Sequence, residues 1–569
     1  MKKQILALMI ASAGLSLHAE ITETATDAVQ NMGVGWNLGN TLDASGHEAA
    51  DPDDDAYWGQ QGLDSETMWG QPVTSAPLFE MMRNAGFGSI RVPVTWFNHM
   101  DKEGNVDPAW MNRVHEVVDY VIDNGLYCIL NVHHDTGADG SGYKSWLKAD
   151  ESWFEQNQAR YENLWHQIAE EFKDYGEKLL FESYNEMLDV KSSWCFASFS
   201  CPGNYDAAVA ASAYNGINSY AQSFVNTVRA TGSNNATRNL VVNTYSAANG
   251  YGTWSQHLKE PITEMALPAD VVEGHLIFEV HAYPTIANSN GSNRSLQDIK
   301  QEVDGMIAGL NTHLVTKGAP VIFGEWGTSN VDSGTGKTDY DVRRELMMQF
   351  MTYFVQQTKA NGMGTFYWMG MSDGLYRTFP AFSQPDLAEC VTKAYHGSDF
   401  QGEYPSAGQM AEIVCFEGDK LLGWGNGFNI SASVFASLEV QPVLTLTYTQ
   451  ESTGNDDIQL FYGNWASKPS FVVDGQTFDG DFSPSHHYGT PAGTEHVTTM
   501  SFSEAVYQQI CQHGLIVHGD GIRVTRAVLR DPASAGIRKV QISKEHVYYN
   551  LMGQRVEHPL NGLFINLTY

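Results

Sequence analysis

Basic residues are scarce in this chain of 569 residues, which has 33 Lys and Arg against 66 Asp and Glu. The formal net charge is −33. We therefore expect no nucleic-acid partner and no anionic membrane surface, because both attract positive charge. The charge fits a neutral substrate and a secreted protein.

Cysteine is also scarce, with six residues in the whole chain. The sequence contains no Cys-x-x-Cys pair and no Cys/His cluster of the kind that holds structural zinc, so we expect no metal site. Cys195 and Cys201 lie close together in a loop rich in Ser, Pro and Gly, and their pairing stays open. Cys128 lies within an apolar strand and is expected to be a buried thiol.

Beyond the N-terminus, the chain lacks an apolar run long enough to span a bilayer. Residues 1–19 are predicted to be a signal peptide. Lys2 and Lys3 precede an apolar run from Ile5 to Leu17, and Ala19 offers a small residue before the cut. A buried first helix is the alternative. We therefore expect an exported monomer, whether secreted, on the cell surface or in the periplasm.

Apolar β-type segments alternate with segments of helical periodicity over residues 20–397. The strands are predicted at 33–39, 89–94, 126–134, 179–187, 240–245, 276–283, 320–325 and 364–369. Eight such strands indicate an α/β fold, a (β/α)8 TIM barrel with long loops. A doubly wound open sheet is the alternative, and it is weakened because no Gly-rich phosphate loop follows the first strand.

The pattern changes after residue 397, where alternating β-type runs are separated by turn residues. Residues 398–535 are predicted to form an accessory β-sandwich, and residues 536–569 a short terminal β-rich tail. Trp424, Tyr462 and Trp465 are candidates for a sugar-stacking face, with core packing as the alternative for each.

Polar and aromatic residues recur where the barrel strands end. In a parallel barrel these ends converge on one face, whatever their distance in sequence. Each residue alone has an ordinary explanation, such as a surface ion pair for an arginine, but their convergence indicates an active site. The candidates are Arg91, His133, His134, Asn185, Glu186, His281, Tyr283, Glu325 and Trp368.

Glu186 and Glu325 end two different strands. Two carboxyl groups on one face permit retaining glycoside hydrolysis, in which one protonates the glycosidic oxygen and the other attacks the anomeric carbon. Arg91 and Tyr283 are suited to hold Glu325 ionised and aimed. Asn185 is suited to bond the sugar 2-hydroxyl, an interaction that strengthens in the transition state.

The remaining candidates suit substrate positioning. His133, His134 and His281 can orient hydroxyls or the acid, and Trp368 offers a platform for a sugar ring. A metal-dependent hydrolase built on the two adjacent histidines and Asp135 is a further idea. It is disfavoured here because neighbouring residues on a strand point to opposite faces.

Taken together, seven motifs resemble glycoside hydrolase family 5. The similarity points to its bacterial endo-β-1,4-glucanase subgroup, which includes xyloglucanases and lichenases. The motifs are Gly35-Trp-Asn-Leu-Gly-Asn-Thr-Leu-Asp43, Ile90-Arg-Val-Pro-Val94, Asn131-Val-His-His-Asp135, Tyr184-Asn-Glu186, His281-Ala-Tyr283, Phe323-Gly-Glu325 and Tyr367-Trp368.

The resemblance implies Glu186 as acid/base, Glu325 as nucleophile, a cleft for a β-glucan polysaccharide or oligosaccharide, and no metal or cofactor. Xyloglucan, mixed-linkage glucan or mannan remain alternative substrates for the same mechanism. A non-catalytic carbohydrate-binding protein is the alternative of another class, and it predicts loss of a glutamate that is present here. Met187 and Ala282 depart from the common pattern and leave the substrate open. The terminal segment resembles sorting tails of secreted proteins.

Overall fold

The computed structural model describes residues 21–46, 51–139, 144–192, 205–252, 255–329, 331–332, 337–378, 380–406, 412–423, 425–436, 438, 441–530 and three short tail strands. The chain divides into two compact units, residues 1–407 and 408–569. The predicted signal peptide, Cys195, Cys201 and Trp424 lie outside the described residues. Cys128 is buried and unpaired, as predicted.

A closed barrel of eight parallel strands forms the first unit, which confirms the predicted fold. Strands consecutive in sequence are neighbours in the barrel, and β8 closes the ring against β1 by pairing Phe366 with Gly35. The strands are β1 (Val34–Asn37), β2 (Ser89–Val92), β3 (Tyr127–Asn131), β4 (Leu179–Glu182), β5 (Leu240–Ala248), β6 (Leu276–Ala282), β7 (Val321–Trp326) and β8 (Gly364–Tyr367). Several end earlier than predicted, which leaves polar residues in the loops beyond them.

Helices surround this barrel: α1 (Ala25–Asn31), α2 (Ala76–Ala85), α3 (Pro108–Asp123), α4 (Glu151–Glu171), α5 (Ala207–Ala230), α6 (Glu260–Glu264), α7 (Leu296–His313), α8 (Asp339–Ala360), α9 (Leu375–Thr378) and α10 (Pro385–His396). Helix α4 begins at Glu151, where the Asp150 side chain caps it by accepting from the Trp153 amide. Short 3-10 segments lie at Asp55–Tyr57, Leu63–Thr67, Phe97–His99, Ser233–Ala236 and Val315–Lys317, and a small hairpin pairs Val331–Asp332 with Lys337–Thr338.

The barrel interior has an apolar layer and a polar layer. The apolar layer includes Ile129, Leu180, Val241, Ile277, Ile322 and Phe366, and it packs with Ala25 and Val29 of α1. The polar layer contains Asn37, Arg91, Asn131, Glu182 and Glu279, all fully buried. Buried charges of this kind must be paired, and their pairing builds the site described below.

The second unit contains two four-stranded antiparallel sheets, in agreement with the predicted β-sandwich. One sheet has the order Glu412–Leu421, Ile522–Arg530, Val443–Gln450 and Glu495–Met500, and the other Phe428–Ile430, Leu515–Asp520, Asp457–Tyr462 and Asp481–Phe482. Additional elements are a hairpin of Phe471–Val473 with Gln476–Phe478 and the helices Ala432–Ala436, Pro484–Tyr488 and Glu504–His513. The tail strands Arg555–Val556, Val547–Tyr549 and Ile565–Leu567 form one small sheet. Across the described residues, none of the helices combines the length and apolarity needed to cross a membrane.

Candidate active site

All nine predicted site residues meet at the carboxyl end of the barrel and form one continuous set of contacts. Arg91 lies on β2, His281 on β6 and Glu325 on β7. The other six lie in the segments that follow β3, β4, β6 and β8. The structure therefore brings together every residue that the strand-end pattern selected.

Arg91 is the centre of this set. Its fully buried guanidinium donates to Glu325 Oε1 at 2.9 Å and to Asn185 Oδ1 at 2.8 Å. Two further bonds, of 2.6 and 2.7 Å, go to Glu182 in a bidentate pair. Burial opposes the charge on Arg91, but the neighbouring carboxylates, chiefly Glu182 and also Glu325, outweigh it and raise the pKa of Arg91 well above its ordinary value. Arg91 is thus a permanent cation that fixes Asn185 and Glu325.

Glu325 receives two strong hydrogen bonds, one on each carboxyl oxygen. Tyr283 donates its hydroxyl to Oε2 at 2.6 Å, opposite the Arg91 bond to Oε1. Loss of solvent around its hydroxyl group and the neighbouring Glu325 carboxylate raise the pKa of Tyr283 well above its ordinary value, so the phenol keeps its proton. The side chain of Glu325 is only 7% exposed, and these two donors fix its orientation.

Glu186 has a different environment. Its side chain is 24% exposed, and its Oε1 lies 2.9 Å from Nδ1 of His281. One carboxyl oxygen each from Glu186 and Glu325 and a ring nitrogen of His281 lie within 4.8 Å of one another. Two close carboxyl groups thus differ in exposure and partners, which is the asymmetry that separates an acid from a nucleophile.

His281 connects Glu186 to a buried carboxyl group that sequence reasoning missed. Its Nε2 lies 3.3 Å from Oε1 of Glu279, on the same strand. Burial alone would lower the pKa of His281, but the carboxylates of Glu325 and Glu186 and a hydrogen bond with Glu279 raise it to about 10. Burial and repulsion from Glu182 raise the pKa of Glu279 to about 8, so Glu279 is a neutral acid at pH 7.

His133, His134 and Trp368 form an aromatic cluster beside Glu325. The ring of His133 stacks on Trp368, with centroids 5.7 Å apart and an interplanar angle of 5°. Nε2 of His133 lies 3.8 Å from Glu325 Oε1, and the ring of His134 meets His133 edge-on at 4.5 Å. Burial and the nearby positive groups lower the pKa of His133 well below its ordinary value, so the ring is neutral.

The prediction that the two histidines point to opposite faces is wrong. Strand β3 ends at Asn131, and both histidines lie in the loop beyond it, so the alternation of a strand does not apply. Their ring nitrogens and a carboxyl oxygen of Asp43 lie within 4.8 Å of one another. The orientation argument against a metal at these residues therefore fails, although the pair still contributes to the aromatic cluster.

Two other features of the site differ from the sequence interpretation. Met187, whose departure from the common family pattern left the substrate open, is fully buried in the hydrophobic core. Trp69, in the long loop after β1, was not singled out, yet it is 39% exposed and its ring lies 5.2 Å from His134. The spacing of Glu279 and His281 by two residues is a signal that was available, because such residues share one face of a strand. Trp69 has no comparable signal in the sequence.

Comparison with known families tests the resemblance stated above. The family model described as Cellulase (glycosyl hydrolase family 5) matches residues 42–374, which include all nine site residues. The chain belongs to glycoside hydrolase family 5. This family 5 enzyme is therefore a glycoside hydrolase of the endoglucanase type.

Individual relatives agree with the family. A structure described as a GH5-4 broad specificity endoglucanase from an uncultured bacterium is 59% identical to this chain. The match covers 66% of this chain and 97% of the other protein, with a TM-score of 0.61. PbGH5A from Prevotella bryantii B14 is a glycoside hydrolase family 5 enzyme solved with a xyloglucan tetradecasaccharide, and it is 38% identical to this chain. The match covers 66% of this chain and the full length of PbGH5A, with a TM-score of 0.55. Endoglucanase B of Neocallimastix patriciarum is 30% identical over 383 residues, which is 66% of this chain and 71% of that protein.

Proposed function

We propose that this family 5 enzyme is a retaining endo-β-1,4-glucanase that cleaves internal linkages of cellulose-type β-glucans by double displacement. The observation that carries the proposal is the close approach of two unlike carboxyl groups, with oxygens of Glu186 and Glu325 within 4.8 Å. Retaining enzymes place their carboxyl groups about 5–5.5 Å apart, whereas inverting enzymes leave about 6.5–9.5 Å for a water molecule. A closest approach of two carboxyl oxygens within 4.8 Å is compatible with direct attack by a carboxylate, and the anomeric form of the first product distinguishes the two mechanisms.

In the first step Glu325 attacks the anomeric carbon while Glu186 gives its proton to the glycosidic oxygen. The bond to the leaving chain breaks and a glycosyl ester on Glu325 forms. In the second step Glu186 takes a proton from water, which attacks the same carbon and frees Glu325. Asn185, fixed through its Oδ1 by Arg91, has its amide NH₂ to offer to the sugar 2-hydroxyl.

Xyloglucan is the second candidate substrate. The relative PbGH5A, 38% identical, was solved with a xyloglucan tetradecasaccharide, and the relative at 59% identity is described as broad in specificity. Accommodation of a branched chain depends on loop shape around the cleft rather than on the catalytic pair. Mixed-linkage glucan and mannan remain further alternatives for the same chemistry.

Export is also part of the proposal. The dilysine start, the apolar run from Ile5 to Leu17 and Ala19 support cleavage after residue 19 and action outside the cytoplasm. N-terminal sequencing of the mature protein from the medium or periplasm tests this. A mature protein that begins at Met1 would contradict it.

Two variants test the catalytic roles. Glu325→Gln should reduce turnover of cellopentaose by at least 10³-fold while it still binds the oligosaccharide, because the amide cannot form the glycosyl ester. For Glu186→Ala, azide should restore cleavage of an aryl glycoside with a good leaving group and give a β-glycosyl azide. Glu273→Gln, at an exposed position, is the matched control and should behave as the parent.

Product analysis tests stereochemistry and substrate. Proton NMR of the first reducing ends should show the β-anomer before mutarotation, and an initial α-anomer would rule out retention. Initial rates on carboxymethylcellulose, lichenan, xyloglucan and mannan rank the substrates. Absence of turnover on all four by the parent chain would favour the non-catalytic binding protein.

A further inference from the structure

We propose that the second unit carries a separate β-glucan-binding site on one sheet face. Three adjacent strands, Phe428–Ile430, Leu515–Asp520 and Asp457–Tyr462, build it. Asn429, Ile516 and Phe461 form one row across the three strands, because Ile516 pairs with both of the others. His518 and Gln459 form a second pair, two residues further along their strands. Residues two apart on a strand share a face, so these side chains point to the same side.

Trp465 forms the wall of this site. It follows the strand Asp457–Tyr462, its ring lies 4.9 Å from Phe461, and the residue is 56% exposed. Its φ of +59° is unfavourable for a bulky side chain and is maintained by the turn in which its amide donates to the Tyr462 carbonyl. A large apolar ring presented to solvent from a strained backbone position suggests a binding role.

The space beside Trp465 has the size and lining of a ligand site. It is a cavity of about 500 Å³ whose eight lining residues, all in the described part of the chain, include no Asp, Glu, Lys or Arg. Gly427 in the lining packs closely against the neighbouring strand, since a Cβ there would lie 2.6 Å from the Val517 carbonyl oxygen. Sites of 300–1,000 Å³ with apolar walls and a few polar groups are typical for small ligands.

The chemistry of the lining selects a neutral sugar. Trp465 and Phe461 offer apolar faces for the C–H surface of a pyranose ring, and the amides of Asn429 and Gln459 offer partners for its hydroxyls. Gln459 donates its Nε2 to Asp457, which leaves its carbonyl oxygen as an acceptor. Next to this lining, the ammonium of Lys468 lies 4.8 Å from the centre of the Phe461 ring and is paired with Asp481, so the site presents little net charge to an ionic ligand.

The ligand is assigned as a β-1,4-glucan chain. This choice of ligand rests on the proposed function, whereas the geometry of the site is independent of it. The large exposed apolar side chains described in the second unit are Leu421, Trp465 and Val497, and of these three Trp465 is the aromatic one. A protein partner would need a broader apolar surface than one ring and its cavity. A site of this kind would hold the enzyme on its polymer between cleavage events.

Binding is measured in the full chain with Glu325→Gln, so that the oligosaccharide is not consumed. The probe is cellohexaose, and the signal is the indole N–H resonance of Trp465, identified by its loss in Trp465→Ala. We expect this resonance to shift and saturate, and Gln459→Ala to weaken the apparent affinity at Trp465 at least fivefold. No shift of the Trp465 resonance at millimolar cellohexaose would overturn the proposal.

Retention on amorphous cellulose provides the second measurement. Trp465→Ala should be retained at least fivefold less than its parent, whereas Val497→Ala, which removes an exposed apolar side chain from the other sheet, should be retained equally. Equal retention of all three proteins would overturn the proposal. Turnover of cellopentaose by the Glu325→Gln background is recorded separately, so a failure of the nucleophile assignment is distinguishable from a failure of this site.

Discussion

Glu279 and His281 lie two residues apart on β6 and face each other inside the barrel, with Oε1 of the glutamate 3.3 Å from Nε2 of the histidine. The same imidazole reaches Glu186 through Nδ1 at 2.9 Å. A buried neutral acid, a cationic ring and the proposed acid/base thus form one line of contacts. Because two of these groups have shifted pKa values, the line makes barrel stability depend on pH.

The first prediction concerns that dependence. The pKa of Glu279 is about 8 in the folded state against an ordinary 4.5, so between these values the folded barrel holds a proton that the unfolded chain has lost. The free energy of unfolding should therefore fall as pH rises from about 4.5 to 8, by up to about 1.4 kcal/mol per pH unit. His281, with a folded pKa of about 10 against 6.5, contributes stability that is complete below pH 6.5 and lost towards pH 10.

Glu279→Gln keeps the size of the side chain and removes its titration. Urea unfolding at a series of pH values should show a flatter slope between pH 4.5 and 8 for this variant, with the alkaline decline from His281 retained. Glu273→Gln removes an exposed carboxyl group three residues before β6 and should keep the parental slope. An unchanged slope in Glu279→Gln would show that this carboxyl group is ionised in the folded barrel.

The second prediction concerns Tyr283. Tyr283→Phe removes the 2.6 Å bond to Glu325 and leaves the Arg91 bond in place. A hydrogen bond to a charged group contributes about 1.5–3 kcal/mol, so kcat should fall about 10- to 100-fold with little change in KM. Tyr353→Phe is the matched control, since Tyr353 makes a similar 2.7 Å bond to Asp304 far from the site. Equal kinetics for both variants would mean that Tyr283 does not position Glu325.

The strand-end residues were predictable because a parallel barrel converts scattered positions into neighbours. Arg91, Glu186 and Glu325 follow apolar runs whose strand character is unambiguous, and topology alone then brings them together. Predicting the fold and these three site residues requires no knowledge of loop conformation, so both could be predicted from the sequence.

Residues that depend on where a strand stops, or on loop conformation, were not predictable in the same way. His133 and His134 converge because β3 ends at Asn131, three residues before the predicted end of this strand at His134. Glu279 shares a strand face with His281, which was a usable signal, but its contacts with Arg91 and Glu182 arise only when the barrel closes around it. Trp69 reaches His134 through a long loop, and nothing in its sequence neighbourhood fixes that path.

The third prediction concerns Trp69. Its Nε1 donates to the Ser45 carbonyl at 3.0 Å, which fixes the ring beside His134 while leaving it 39% exposed. If a bound glucan chain stacks on this ring, Trp69→Ala should raise KM for the polysaccharide about five- to tenfold, equivalent to about 1 kcal/mol. Trp69→Phe should recover most of the loss, because a smaller ring still stacks. An unchanged KM in the alanine variant would place Trp69 outside the bound chain.

The last prediction tests the packing of Glu279 against the barrel wall. A Cβ atom added at Gly324 on β7 would lie 1.5 Å from Oε1 of Glu279. The strand cannot easily move aside, since the Gly324 carbonyl accepts from Asn37 and the strand is paired on both edges. Gly324→Ala should therefore destabilise the barrel by about 3 kcal/mol.

A double-mutant cycle separates this clash from a general intolerance at Gly324. Glu279→Ala removes the obstructing carboxyl group, so Gly324→Ala should cost less than about 1 kcal/mol in that background. Gly327→Ala, where the nearest atom to an added Cβ is 3.6 Å away, is the control and should have a small effect. Additive costs in the cycle, measured by urea unfolding of the four proteins, would mean that Glu279 does not occupy the space behind Gly324. A strong coupling energy would instead establish that Gly324 is required because the buried carboxyl group of Glu279 occupies the space that a side chain at position 324 would need.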